Sequence, residues 1–266
     1  MNKHLFFLSV KKNRDFVIGI ILLFMMYSSI AAWMFDPDSA AAINDFLGVL
    51  PEAFIRALGF EGLGTDLTTY LSNYLYGFIY IMFPMIYILL VVSRLIGKLI
   101  DEGSMVYLVA SPMKRSTIAI TQIGFFVISL FVIFAVNFTV IYAIAEFRFP
   151  GLLDVIGFFR LNVITYMVMI LLSSIVFFLT VLPIDYAKAM TLSVGLSVYS
   201  FAANALYRLS DALSFVQYTT IFRLVDIDRS LQDPTWSLWT FVGLFVVSAV
   251  IFTSTVVLFE KRPLHI

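Results

Sequence analysis

The chain has 266 residues, 61% of them hydrophobic and only 13% charged, and its formal net charge is zero. A soluble domain carries roughly 25% charged residues, and a globule of this size cannot bury so much apolar surface, so the composition excludes an ordinary soluble enzyme and points to a bilayer-embedded chain. Cysteine is absent and the two histidines, His4 and His265, are terminal, which removes disulfides, thiol catalysis and any internal His or Cys metal cluster, while the balanced charge gives no reason to expect a nucleic-acid partner.

Six apolar stretches run approximately over 16–35, 74–96, 118–145, 161–182, 187–206 and 236–258. Each is near or above the roughly 20 helical residues that cross a hydrocarbon core. Runs such as Ile20-Ile21-Leu22-Leu23-Phe24-Met25-Met26 lack the alternation of barrel strands. The expected fold is an all-α integral membrane protein of six transmembrane helices, with residues 1–266 forming one transmembrane domain in contact with lipid.

At the N-terminus, Leu5-Phe6-Phe7-Leu8 followed by Lys11, Lys12 and Arg14 has the composition of a segment lying at the membrane interface and meeting anionic headgroups. The first span has the flanks of a signal peptide, and Ser29-Ile30-Ala31 resembles a cleavage site. Its apolar run is longer than the usual length of about 7–15 residues, and the span is expected to be retained. In 39–60, Ile43, Phe46, Leu47, Leu50, Phe54 and Leu58 recur at helical spacing, and Pro51 divides them into two predicted short helices.

In the second span Tyr80, Pro84 and Tyr87 stand at i, i+4 and i+7, and Pro84, which frees a backbone carbonyl, predicts a kink. Asn137 and Thr139 in the third span and Ser173 and Ser174 in the fourth are expected to hold the bundle together internally. In the fifth span Ser193, Ser197, Ser200 and Asn204 occupy one helix face. Such a face permits close helix packing or interhelical hydrogen bonds, and equally it can line a translocation path; both readings stay open. Residues 207–235 carry Leu213, Val216, Ile221, Phe222 and Leu224 among charges; this segment and 39–60 both fit surface or re-entrant helices, lying on the membrane or packed on the bundle, or an outer gate. No Asp, Glu, Lys, Arg or His falls in the middle of any span, which disfavours an ion- or proton-coupled carrier.

Charge sets the orientation. Of the seventeen Lys and Arg residues, eleven lie on the side of the N-terminus and six on the other. Positive charge stays cytoplasmic, so a multi-pass chain with both termini inside the cytoplasmic membrane is expected. Twelve of the seventeen acidic residues fall on the opposite side.

The connection between the second and third spans reads Asp101-Glu102-Gly103-Ser104-Met105-Val106-Tyr107-Leu108-Val109-Ala110-Ser111-Pro112-Met113-Lys114-Arg115. Ser104 suits a helix N-cap and Pro112 ends the helix, which predicts a short helix over 104–110. Met105, Leu108 and Val109 share one face of it, a face for a partner protein or for the membrane surface. An acidic residue, a charged residue, Gly and Ser or Thr, then an apolar helix, Pro, two residues and Arg resembles the intracellular loop of type-2 ABC exporter permeases. Asp101, Gly103, Ser104, Pro112 and Arg115 fall on that pattern. Asp101 stands where Glu is usual, Ser104 where Thr is usual, and Val106 where an acidic residue is common. Leu50-Pro51-Glu52 before the second span and Phe259-Glu260-Lys261-Arg262-Pro263-Leu264 after the last also match the family's layout.

The resemblance implies a coupling helix in 101–115 that docks in a cleft of a separate ATP-binding cassette ATPase. Asp101 and Glu102 would orient the loop, Gly103 permit its turn, and Met105 and Leu108 enter the partner. It also implies an N-terminal elbow helix, a second permease subunit, identical or related, a path lined partly by the second and fifth spans, and a bacterial cytoplasmic membrane. The sequence has no G-x-x-x-x-G-K-[ST] loop to cradle phosphates, so the chain is not expected to be an enzyme or to bind a cofactor, and ATP and Mg are expected on the partner. The expected function is export of a hydrophobic or amphipathic cargo, such as a peptide, a lipid-like molecule or a drug. The alternative is a non-transporting membrane sensor or assembly partner.

Overall fold

In a computed structural model of the chain, residues 1–36, 49, 66–97, 114–209 and 211–261 are described. They are helical throughout their long segments, and six helices among them are long and apolar enough to cross a membrane. The first, α1, runs unbroken over Lys3–Met34, and the Asn2 side chain accepts a hydrogen bond from the Leu5 amide at its start. At about 1.5 Å per residue its 32 residues reach well beyond a hydrocarbon core of about 30 Å. The expected elbow is therefore not a separate helix. No proline or glycine interrupts the chain between Lys3 and Phe16, and residues 5–14 simply form the first turns of the span. Those turns are held along the start of a later helix, α3 (Arg115–Arg148). The Asn2 amide donates to Thr121 Oγ1 at 2.8 Å, Ser9 Oγ to Gln122 Oε1 at 2.9 Å, and the Phe6 and Phe125 rings meet edge to face.

The second span, α2, covers Leu67–Gly97. Asp66 caps it by accepting from the Thr69 amide. The helix continues through Pro84, and its departures from α geometry are two π-helical turns, Leu75–Ile79 and Ser93–Gly97, on either side of the proline-bearing stretch Tyr80–Val92. After α3, a turn with Gly151 at φ +75° leads to α4 (Val155–Val181), capped by Asp154. Next come α5 (Tyr186–Leu209), the 3-10 turns Asp211–Thr219 and Ile221–Leu224, the short α6 (Ile227–Gln232) capped by Asp226, and α7 (Pro234–Lys261). Proline at the first position of α7 costs no hydrogen bond, because that amide has no intrahelical partner.

Contacts at both ends show that the spans alternate in direction. At the near face, which carries residue 1, Ser93 at the end of α2 bonds Tyr186 at the start of α5, and Ser116 on α3 reaches Glu260 at the end of α7. At the far face Arg148 ends α3 beside Trp33 of α1, and the Asp154 amide donates to Thr68 on α2 at 2.8 Å. Helix α4 is the central post, packed against α2, α3, α5, α6 and α7, while α1 lies along α3. Of the most apolar stretch of α4, 72% is buried, against 17% for α7. The outward face of α7 carries Leu238, Trp239, Phe245 and Val250, all exposed. Water would penalise such a surface, whereas lipid solvates it.

Residues 211–232 fold onto the bundle. Phe222, Val225 and Ser230 are buried, and Arg160 on α4 donates to the carbonyls of Ser230 and Leu231. The two short helices expected in 39–60 lie outside the described residues.

Candidate functional site

Of the coupling loop, Asp101, Glu102, Gly103, Ser104, Met105, Leu108 and Pro112 lie outside the described residues, as do the terminal Arg262, Pro263 and Leu264. Arg115 is described: it opens α3 and is half-buried. The segment 98–113 leaves from Gly97 and returns at Lys114, two helix ends on the near face. The α2 end of this pair is tightly fixed. A Cβ on Gly97 would stand 2.5 Å from the Tyr186 ring and 3.2 Å from the Thr180 methyl, so only glycine lets α2 approach the α4–α5 turn this closely.

Tyr80, Pro84 and Tyr87 are all buried on α2. Their surroundings are other helices. The Tyr80 hydroxyl shares a 3.1 Å hydrogen bond with Ser28 on α1, and the Tyr87 hydroxyl a 2.6 Å bond with Ser129 on α3. One turn before Tyr80, the Tyr76 hydroxyl accepts from Asn162 Nδ2 on α4 at 2.7 Å. With Ser93 and Tyr186, α2 is thus tied to α1, α3, α4 and α5 by one hydroxyl each. Aromatic faces fill the space between: Tyr87 stacks on Phe126 and Phe16, and Tyr80 meets Phe24 and Phe134 edge to face. A phenol in such an interior needs a partner, because an unmatched polar group there is costly.

The residues expected to bind the helices together do something else. Asn137 Nδ2 donates to the Ile133 carbonyl, Thr139 to Ala135, Ser173 to Ile170 and Ser174 to Leu171, all within their own helices. A short hydroxyl or amide in a helix reaches the carbonyl three or four residues back more easily than a neighbouring helix. The long phenols span that gap. Their partners Ser28, Ser129 and Asn162, and Tyr76 itself, escaped the sequence reading, although each is a polar group inside an apolar run.

On α5, Ser193, Ser197, Ser200 and Asn204 form one buried stripe with Ala189 and Ala203. Leu192, Val198 and Tyr199 point away and are exposed. Ser193 Oγ donates to the Ala189 carbonyl and Ser197 Oγ to the Ser193 carbonyl, while the Ser200 carbonyl accepts from Thr220 Oγ1 at 2.7 Å. The stripe consists of the small residues, and the helix lies against α4 and α2. This inside-out arrangement suits a bilayer, where backbones approach through small residues and large apolar ones meet lipid. Among the described residues Asn204 Oδ1 is buried without a hydrogen-bond partner.

Positive side chains gather near the ends of the spans. Arg94 lies over the Phe16 ring at 4.5 Å, and Arg148 over Trp33 at 4.7 Å while donating to the Trp33 carbonyl. Both are cation–π contacts of the kind an interfacial arginine makes. Among the described residues no three His, Cys, Asp or Glu side chains gather to hold a metal ion. What the interior offers chemically is therefore apolar surface, hydroxyl dipoles and amides. No family model matches the chain, and no curated protein does.

Proposed function

We propose that the chain is the permease subunit of an ATP-driven exporter of the type-2 ABC class. In this reading it works as a pair of such subunits, identical or related, above separate ATPases that bind ATP and Mg. The near face is cytoplasmic, in a bacterial cytoplasmic membrane, with both termini inside. One observation carries the proposal: Asp101, Gly103, Ser104, Pro112 and Arg115 stand in order in a short connection between the second and third spans.

Two physical features support it. The middle of each described span lacks Asp, Glu, Lys, Arg and His side chains, which disfavours a proton- or ion-coupled carrier and fits an external energy source. The coupling segment also joins α2 and α3 directly. A push on 101–115 by an ATPase would reach α2, whose hydroxyls bond α1, α3, α4 and α5. The π-turn Ser93–Gly97 is then the first element to feel it, and such turns recur where helices change shape at functional sites. An interior of aromatic rings and single hydroxyls suits a hydrophobic or amphipathic cargo.

Purification of the full chain from its native membrane tests the reading. A Walker A ATPase should copurify, the complex should hydrolyse ATP, and Leu108→Asp or Met105→Asp should abolish that association with membrane insertion intact. Retention of the ATPase by both variants would show that 101–115 does not couple, and a chain that carries no ATPase would favour the sensor or assembly reading.

A further inference from the structure

At the far face the 3-10 turns and α6 close over the ends of α2 and α5 and leave a cavity of about 420 Å³, within the usual range for a ligand pocket. Its wall carries three arginines, Arg208, Arg223 and Arg229, and two carboxylates, Asp226 and Asp228. These groups are not evenly matched. Arg229 pairs with Asp226 at 3.5 Å, and that carboxylate also caps α6. Arg208 and Arg223 lie over the Tyr207 and Tyr218 rings at 5.8 and 4.7 Å, and among the described residues neither has a carboxylate within 4 Å. A ring face attracts a cation but leaves the guanidinium N–H edge free for an anion. The wall therefore holds one more positive than negative charge, and two guanidinium groups available to a bidentate acceptor.

The rim says what kind of anion. Near the lining residues Tyr207 and Gln217 in the chain, Leu206 on α5 and Phe215 and Tyr218 on the 3-10 turn are exposed, Tyr218 under the Arg223 guanidinium, and the exposed Tyr199, two turns down α5, is tied to the turn by its bond to Thr219 at 2.9 Å. A polar cavity at the end of the spans, bordered by exposed aromatic and aliphatic side chains, matches a molecule with a charged head and apolar tails. We propose that this cavity binds the phosphodiester headgroup of an anionic phospholipid of net charge −1, with Arg208 and Arg223 on the phosphate and the acyl chains along the Leu206 face of α5. The inference goes beyond the exporter reading and holds or fails without it, because it needs only the membrane and the cavity.

Native mass spectrometry of the purified full chain tests it. The protein is offered equal amounts of phosphatidylglycerol and phosphatidylcholine with the same acyl chains. The wild type should retain one phosphatidylglycerol preferentially, and Arg208→Gln with Arg223→Gln should lower the preference roughly tenfold or more, because the wall then changes from one excess positive to one excess negative charge and no longer favours the headgroup that lacks a choline cation. Arg208→Gln alone, which leaves the Arg223–Tyr218 contact in place, should fall between, so the outcome remains readable if the double variant folds poorly. Lys11→Gln with Lys12→Gln removes the same charge at the near face and should leave that bound lipid in place. Equal loss in the Lys variant, or no preference in the wild type, overturns the site. Displacement of the lipid by an equal concentration of soluble glycerophosphoglycerol would assign the cavity to a free phosphoester and overturn the lipid assignment.

Discussion

Replacing Ser197 by leucine asks whether the polar stripe of α5 is a packed surface or an open wall. Ser197 is fully buried, and its hydroxyl turns back to the Ser193 carbonyl at 2.7 Å. No long side chain shares the stripe, whose other members are Ala189, Ser193, Ser200, Ala203 and Asn204. Leucine adds two heavy atoms where the helix backbone is closest to its neighbours. Overpacking of this kind costs about 1–3 kcal/mol; the lost hydroxyl adds little, because its bond is local and the carbonyl keeps its helical donor. A chain of this size shifts by about 2 °C per kcal/mol, so the melting temperature of the detergent-purified protein should fall by about 2–6 °C. Val198→Leu, on the exposed face next door, should leave it unchanged. If Ser197→Leu melts with the wild type and only transport falls, the stripe lines a path and the packing argument is wrong.

Tyr76→Phe and Asn162→Leu, separately and together, should give a coupling of about 0.6–1.7 kcal/mol in a double-mutant cycle read by unfolding in denaturing detergent; additivity would mean that the 2.7 Å bond contributes nothing. Gly97→Ala should lower the melting temperature more than Gly19→Ala, since a Cβ at 97 meets Tyr186 and Thr180 and one at 19 meets nothing; equal shifts would contradict the close approach. In the cysteine-free chain, an impermeant thiol reagent on intact cells should label Pro150→Cys and spare Ala110→Cys, and the reverse pattern would invert the assigned orientation.

The amino-acid sequence by itself determined the class, the number of spans and their approximate positions, because each depends on a sum over about twenty neighbouring residues. A run like Ile118–Ala145 has no alternative to a long apolar helix, and α3 extends it only to Arg115 and Arg148, where polar groups begin. The acidic bias of the far side was also legible, and the fold supplies part of its cause: α2, α4, α6 and α7 all begin there, with Asp66, Asp154, Asp226 and Asp233 accepting from their first-turn amides. The small-residue face of α5 was visible as spacing alone. What spacing cannot say is which side of a helix meets protein and which meets lipid, since both are apolar in a bilayer. Only the tertiary structure decided that α4 is the central post and α7 a peripheral one, although the two read alike as hydrophobic runs. It also decided that Asn137 and Ser173 bond their own helices, while Tyr76, Tyr80 and Tyr87 reach across to three others. The physical reason is reach: a serine or asparagine finds a carbonyl in its own helix or is met by a longer side chain from another, as at Ser28, Ser129 and Asn162, whereas a phenolic hydroxyl stands too far from its own backbone and must find its partner on the helix that packing brings beside it.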